Sequence, residues 1–406
     1  MDITFHNDHN VYILGAGFSY EAGYPLVRNF MDKMKEAASW QKDHSQETRE
    51  IEAVLKFRLE AAAAAYRIQF DPENIEDLFS LSAAKGGSDG TTNRNVIIAI
   101  AETLEYCRNN SKTERKLIFP GAGQSPPKGF ERDNPANPAN LTIDRFKFYV
   151  GYMSGVWGET PYKDNTFITF NYDLLLEEAL QEWAIPFRYD GLHGYEIPGL
   201  PNFDDSARSI QENEEEENVV SILKLHGSVN WALTGLPPNS LIKKYIGIKG
   251  VVKVYGDFIR KEMLGSQQAL LLAPPVWDKG TAKVGHPLAG VWSNAIKKLQ
   301  TATRIIVIGY SLPLADAHFR YLMAAGLQNN ISLREIVFVN PAFGEEEPDK
   351  EALEERVFSV FLRDLQKKGI LKLLPFKAHE FFFFPSVAKG IKTEDILGRK
   401  TPFAPS

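Results

Sequence analysis

The sequence predicts a mostly parallel α/β sheet covered by helices on both faces, and three observations carry that prediction. Short apolar runs alternate with helical stretches along the second half of the chain. Each run ends in a turn of small or polar residues, as strands feeding crossover helices do. The chain has 406 residues, 44% of them hydrophobic and 24% charged, which is ordinary for a protein that buries a sizeable core.

The first strand is read at Val11–Leu14, an apolar run that stops at Gly15-Ala16-Gly17, and a helix is expected from about Ser19 through Ala38. Arg49–Gln69 favours helix, with Ile51, Val54, Leu55, Phe57 and Leu59 supplying apolar surface. Asp71-Pro72 starts another helix, with Asp as cap and Pro at the first helical position. Asn95–Cys107 is a fourth helical stretch, and residues 108–140, rich in charge, Gly and Pro, read as a long exposed loop. Strands are then expected at Asn165–Phe170, Val219–Leu225, Ala269–Ala273, Arg304–Ile308 and Arg334–Val339, with helices at Tyr172–Trp183 and Ala315–Leu327. Glu212 with Glu214–Glu217 reads as a solvated acidic loop. Four phenylalanines, Phe381–Phe384, cannot all face one core from one strand, so a central strand covered on both faces or a partner contact is expected.

Composition excludes several classes. The formal charge of −6 offers no basic excess, so direct nucleic-acid binding is not expected. One cysteine, Cys107, excludes an intrachain disulfide framework and a four-cysteine zinc site, and fits a reducing cytoplasm. The N-terminus lacks the basic region of a secretion signal, and no stretch approaches the ~20 apolar residues that cross a bilayer.

Open parallel sheets bind ligands beyond the carboxyl ends of their strands, so chemistry should cluster after these runs. Gly15-Ala16-Gly17-Phe18-Ser19, followed by Gly23-Tyr24-Pro25 and Arg28, forms a strand–glycine turn–helix unit whose unpaired N–H groups suit a pyrophosphate. Alone it is a weak signal, because the dinucleotide fingerprint needs glycine where this chain has Tyr20. Asn171 and Asp173 also suit helix capping, His226 a structural role, Arg28 a helix surface and Asn340-Pro341 an ordinary turn. His6 and His9 read as a disordered terminus, while His318 stands at a helix start within reach of the site. Trp231 and Trp277 read as buried packing, Asp278 and His286 as part of a lid-like loop, and Cys107 as a small core residue.

Taken in order, the strand-end residues resemble the sirtuin family. The Gly15–Arg28 spacing resembles its nucleotide-binding turn, and Thr169-Phe170-Asn171-Tyr172-Asp173 its T-Q-N-x-D segment. Leu225-His226-Gly227 resembles its L-H-G segment, Gly309-Tyr310-Ser311 its G-T-S turn, and Val339-Asn340 its strand-end asparagine. The resemblance implies a Rossmann-like core that takes NAD as substrate, with Gly15, Ala16, Gly17, Ser19, Arg28, Thr169, Gly309, Ser311 and Asn340 holding the dinucleotide. Asn171, His226 and Asp173 would be catalytic. Those residue types suit the task. Breaking the nicotinamide–ribose bond passes through an oxocarbenium-like state, and histidine is an apt base near neutrality. Asparagine can hold water or ribose hydroxyls, and an aspartate can accept from the carboxamide.

The sequence also departs from the family. Deacetylating sirtuins carry a four-cysteine zinc module, whereas this chain has one cysteine; Tyr310 replaces a usual Thr and Val27 a usual Phe. No zinc is therefore expected. The combination resembles the bacterial sirtuin-like NADases of antiphage defence, which hydrolyse NAD to nicotinamide and ADP-ribose. In size it is similar to the sirtuin-like subunit that pairs with a HerA-type hexameric ATPase, which implies control by such a partner or by homo-oligomerisation. The expected organisation is one catalytic domain over residues 1–400, with a core at 8–30 and 160–385, a helical insertion at 31–159 and a tail at 386–406. Two rivals stay open: an NAD-dependent protein deacylase or ADP-ribosyltransferase, and a non-catalytic sensor of NAD or ADP-ribose that serves as an assembly scaffold.

Overall fold

The computed structural model describes residues 8–383, apart from 69, 86–89, 121–125, 135–136, 158–161, 193–217, 235–250, 266–267, 275–285, 314–316 and 345–348. In chain order its strands are β1 (Asn10–Leu14), β2 (Lys116–Pro120), β3 (Glu131–Asn134), β4 (Asn137–Asp144), β5 (Asn165–Thr169), β6 (Phe187–Tyr189), β7 (Val220–Lys224), β8 (Gly227–Thr234), β9 (Val251–Val254), β10 (Ala269–Leu272), β11 (Arg304–Ile308), β12 (Glu335–Val339) and β13 (Leu371–Leu374). The helices are α1 (Ala16–Tyr20), α2 (Phe30–Asp43), α3 (Arg49–Ala65), α4 (Ile75–Lys85), α5 (Gly90–Asn110), α6 (Arg145–Ser154), α7 (Leu175–Glu182), α8 (Ala289–Thr301), α9 (Ala317–Leu327), α10 (Asp349–Val360), α11 (Arg363–Lys367) and α12 (Ala378–Phe383).

Seven strands form one parallel sheet in the order β13-β12-β11-β1-β5-β7-β6. Its middle strand is buried on both faces: every residue of β1 is enclosed, which explains why Val11–Leu14 reads as a continuous apolar run. Parallel pairing in register carries Leu14 beside Ile308 and Thr169, so the strands end level with one another.

The interval between β1 and β5 is largely helical. The long α5 buries Val96, Ile97, Ile100 and Leu104 and packs on α2, α3 and α4. The helix expected over 19–38 is broken by Gly23-Tyr24-Pro25, because Gly23 sits at φ 89° in the left-handed region, where a helix cannot continue. Residues 108–140 are not one exposed loop. They hold β2 and β3, which flank β4 in a small antiparallel sheet. Leu141 and Ile143 of β4 are buried, and Phe119 and Phe130 pack on Phe148 of α6, outweighing the surrounding Gly, Pro and charge. Asp144 caps α6, its carboxylate accepting from the Phe146 and Lys147 amides.

Three further expectations change. The Ala269–Ala273 run does form a strand, but β10 pairs antiparallel with β8 in a second three-stranded sheet, β10-β8-β9. The described part of the phenylalanine run, Phe381–Phe383, is helical rather than extended, and Phe384 lies outside the described residues. Phe381 and Phe382 of α12 are buried, and Phe382 stacks on Tyr149 of α6 with ring centroids 4.7 Å apart. His9 is ordered: its ring nitrogens bond the Thr301 and Thr166 hydroxyls at 2.9 and 3.0 Å, and burial lowers its pKa to about 4. His6, Trp277, Asp278, the acidic loop and the 386–406 tail lie outside the described residues.

Lys261, in a short turn after β9, ties the second sheet to the helices. Its Nζ lies 2.7 Å from Glu50 Oε2 of α3 and 3.4 Å from Glu102 Oε1 of α5. Burial nevertheless pushes the Glu102 carboxyl up to about 7, with Lys261 only partly offsetting it. The unfolded chain releases this proton near the ordinary 4.5, so this group's contribution to stability falls as pH rises from there through about 7. Glu102→Gln, isosteric and neutral, is expected to raise the melting temperature above about pH 7 and to leave it unchanged near pH 4. Thermal denaturation across that range checks this; a lower melting temperature at high pH would mean the Lys261 pair outweighs burial.

Candidate functional site

The level strand ends of the parallel sheet open into a cleft of about 2000 Å³, which the helices after β1 also line. Its lining includes Ala16, Gly17, Ser19, Arg28, Asn171, Asp173, His226, Gly309, Ser311 and Asn340. Ten of the twelve residues singled out in the sequence thus share one cavity. The other two, Gly15 and Thr169, stand behind it and hold Asn171. The Asn171 amide N–H donates to Thr169 Oγ1 at 3.0 Å, and its Nδ2 donates to Gly15 O at 2.9 Å.

Three amides of the glycine turn bond within the protein. The Gly15 and Gly17 amides donate to Ile308 O and Gly309 O at 3.0 and 2.8 Å, and the Phe18 amide donates to Gly15 O. These donors are spent within the protein rather than presented to an anion. What demands glycine is the packing of two turns: a Cβ at Gly15 would lie 2.6 Å from Gly309 O, and one at Gly17 2.8 Å from Gly309 Cα. The side chains of this segment that line the cleft include Ser19 and the exposed Arg28 on the 3₁₀ turn Val27–Asn29.

Ser19 joins two motifs, the glycine turn and the Thr169–Asp173 segment. Asn171 Nδ2 donates to its Oγ at 3.1 Å, and the Ser19 hydroxyl beside Asp173 favours the ionised form of that carboxylate. Asp173 also accepts from the Leu175 amide at 3.1 Å, so its capping role at α7 is real. Burial pushes its carboxyl upward, opposed by the nearby Lys224 charge. With both Asn171 Nδ2 protons engaged, its Oδ1 is the atom left to accept from water or a hydroxyl.

His226 is buried at the end of β7, where the chain reverses into β8 through Gly227 at φ 85°. Its carbonyl accepts from the Ala273 amide at 2.8 Å. Its ring meets Phe170 edge-on, with centroids 5.1 Å apart, and Phe170 in turn stacks on Tyr310 at 4.7 Å. Tyr310, where a smaller residue is usual in the family it resembles, thus completes an aromatic wall beside the histidine. Asn340 accepts from the Ala342 amide through Oδ1 at 3.1 Å, its expected turn role, while also lining the cleft. His318 does not reach the site; it packs against Trp292 at 5.5 Å because α9 turns it toward α8. His286 is buried and accepts from the Leu288 amide at 3.1 Å, a local structural role. Trp231 is core. Cys107 is buried beside the cleft, where burial pushes its thiol up to about 12, so it stays protonated.

Lys224 and Glu177 were not legible. Lys224 is the last residue of β7, yet its side chain is 1% exposed, and its Nζ meets Glu177 Oε1 at 2.9 Å and the Asp173 carbonyl. One charge in a buried strand was the available signal. Among the described residues no group of three or more His, Cys, Asp or Glu is placed to hold a metal ion, and no helix is long and apolar enough to cross a membrane.

Residues 165–361 match the family described as the SIR2-like domain, which supports a sirtuin-like family. Among curated proteins none matches. Solved structures that the chain is similar to include a Sir2 homolog–NAD complex, 14% identical over 92% of this chain and 86% of that one, with a TM-score of 0.36. A mutant Sir2 homologue in complex with ADP-ribose is 13% identical over 92% and 88% of the two chains, with a TM-score of 0.35. Sir2Tm bound to a propionylated peptide is 12% identical over 92% and 90%, with a TM-score of 0.34.

Proposed function

We propose that the chain binds NAD in this cleft and hydrolyses its nicotinamide–ribose bond. The observation that carries the reading is the convergence of Asn171 and His226 from adjacent strand ends on one cavity, with Asn171 pinned so that only its acceptor is uncommitted. Ser19, Arg28 and Ser311 supply hydroxyls and a cation for the pyrophosphate, and Asn340 stands at the adenosine ribose. As the C1′–N bond lengthens, its electron pair leaves on nicotinamide and positive charge builds on the ribose. Asn171 Oδ1 orients the attacking water, His226 takes the proton that water loses, and oxygen bonds to C1′. The products are nicotinamide, ADP-ribose and a proton.

In this reading the activity depletes NAD in antiviral defence, controlled by self-assembly or by a HerA-type ATPase. The test is chromatography of NAD incubated with the protein, with and without an acylated peptide, at several protein concentrations and with candidate ATPase added. Nicotinamide and ADP-ribose should accumulate without peptide. Release that needs peptide would make the protein a deacylase, and saturable NAD binding without any release would make it a sensor.

A further inference from the structure

We infer that the buried Lys224–Glu177 pair is a positioning device that sets the distance between the two segments bearing Asn171 and His226. The inference rests on the hydrolase reading above. Lys224 is paired in register with Thr169 of the neighbouring strand, two residues before Asn171, and itself stands two residues before His226. Its ammonium crosses from β7 to the irregular segment between β5 and α7, donating to the Asp173 carbonyl there and to Glu177 in the first turn of the helix. The Leu225 amide adds a backbone link to Thr169 O at 3.0 Å.

The pair is anchored on its far side as well. Glu177 Oε1 accepts from the Tyr189 hydroxyl at 3.1 Å, and that oxygen accepts from Asn230 Nδ2 at 3.3 Å. Asn230 also donates to Tyr255 O at 2.8 Å. One polar chain therefore runs from the Asp173 segment through α7 and β6 to β8, the strand that His226 feeds. A buried ion pair replaced by well-packed apolar residues is often neutral or stabilising, and every neighbour of Lys224 on β7 is buried. What an apolar residue could not do is hold a carbonyl of the catalytic turn in place from the strand behind it. The Lys224 charge also opposes the effect of burial on Asp173.

The test compares Lys224→Met, Lys224→Arg and the double variant Lys224→Met/Glu177→Leu with the wild type, using NAD as the probe. Removing Lys224 alone strands a buried carboxylate and threatens folding, so the double variant is the decisive one. It should keep its melting temperature within a few degrees and lose about 10²-fold in kcat, with KM changed by less than about threefold. Lys224→Arg, which keeps the donor, should retain more kcat than Lys224→Met. Hydrogen exchange should quicken in residues 170–175 and 225–228 of the double variant and not elsewhere. A folded double variant with kcat within about twofold of wild type overturns the inference, as does exchange that quickens everywhere. If the wild type releases no nicotinamide, the hydrolase reading falls by itself. Exchange then decides alone: unchanged protection in those two segments overturns the tie.

Discussion

His226→Ala is expected to lower nicotinamide release from NAD by about 10² or more, the usual worth of a positioned general base. The His226 imidazole lines the cleft together with Asn171, and among the described residues no second histidine stands in its place: His318 packs on Trp292, and His379 bonds Glu21 at 2.5 Å. The ring contributes an edge-on contact to Phe170, so its removal also leaves a small cavity that costs about 1–3 kcal/mol. Calorimetry with ADP-ribose separates the two effects, because the residues proposed for the pyrophosphate and adenosine, Arg28, Ser311 and Asn340, line other parts of the cleft. Binding should stay within a few-fold while turnover collapses. Asn171→Ala should match it in turnover, since it removes the acceptor that orients water. Less than tenfold loss in both variants would sink the mechanism and leave the fold untouched.

The second large effect belongs to Gly309→Ala. Gly309 has φ 65°, a conformation that costs an L-residue about 1–2 kcal/mol, and its new Cβ would overlap the Phe18 amide nitrogen. Relieving a backbone overlap in a packed region adds about 1–3 kcal/mol. The relief can come only from parting the two turns, so Gly17 moves and carries Ser19 away from Asn171. A drop of several degrees in melting temperature should therefore accompany at least a tenfold weaker affinity for ADP-ribose. Gly369→Ala is the matched control. It also has positive φ, at 72°, but a Cβ there meets nothing within 4 Å, so it reports the conformational cost alone. Equal effects of the two substitutions would show that the turns do not interlock.

Much of this was legible because the parallel strands are buried on both faces. Continuous apolar runs at 11–14, 305–308 and 336–339 announce themselves, and the polar residues that follow them mark the cleft. Pairing partners are another matter. The Ala269–Leu272 run carries nothing that says whether it joins the large sheet or β8, and only the reversal at Gly227 decides it. The three-residue β6 is too short to show a period. In 378–383 the buried residues Ala378, Phe381 and Phe382 have helical spacing, which the density of phenylalanine conceals. Lys224 escaped for a different reason: a lysine in a strand pattern looks like an edge, and its partner Glu177 lies 47 residues away.

The strand order of the parallel sheet has a temporal consequence. β1 is bracketed by β5 and by β11, and the far edge is closed by β13, so early and late parts of the chain meet at the same cavity. The lining runs from Ala16 to His379. During synthesis the glycine turn emerges first, yet the Gly309 turn that shapes it emerges almost three hundred residues later. Contacts of such separation form late. A ribosome-bound fragment ending before β11 has Asn171 and His226 but lacks the other wall of their pocket. The pocket is thus complete only once nearly the whole described chain has been made.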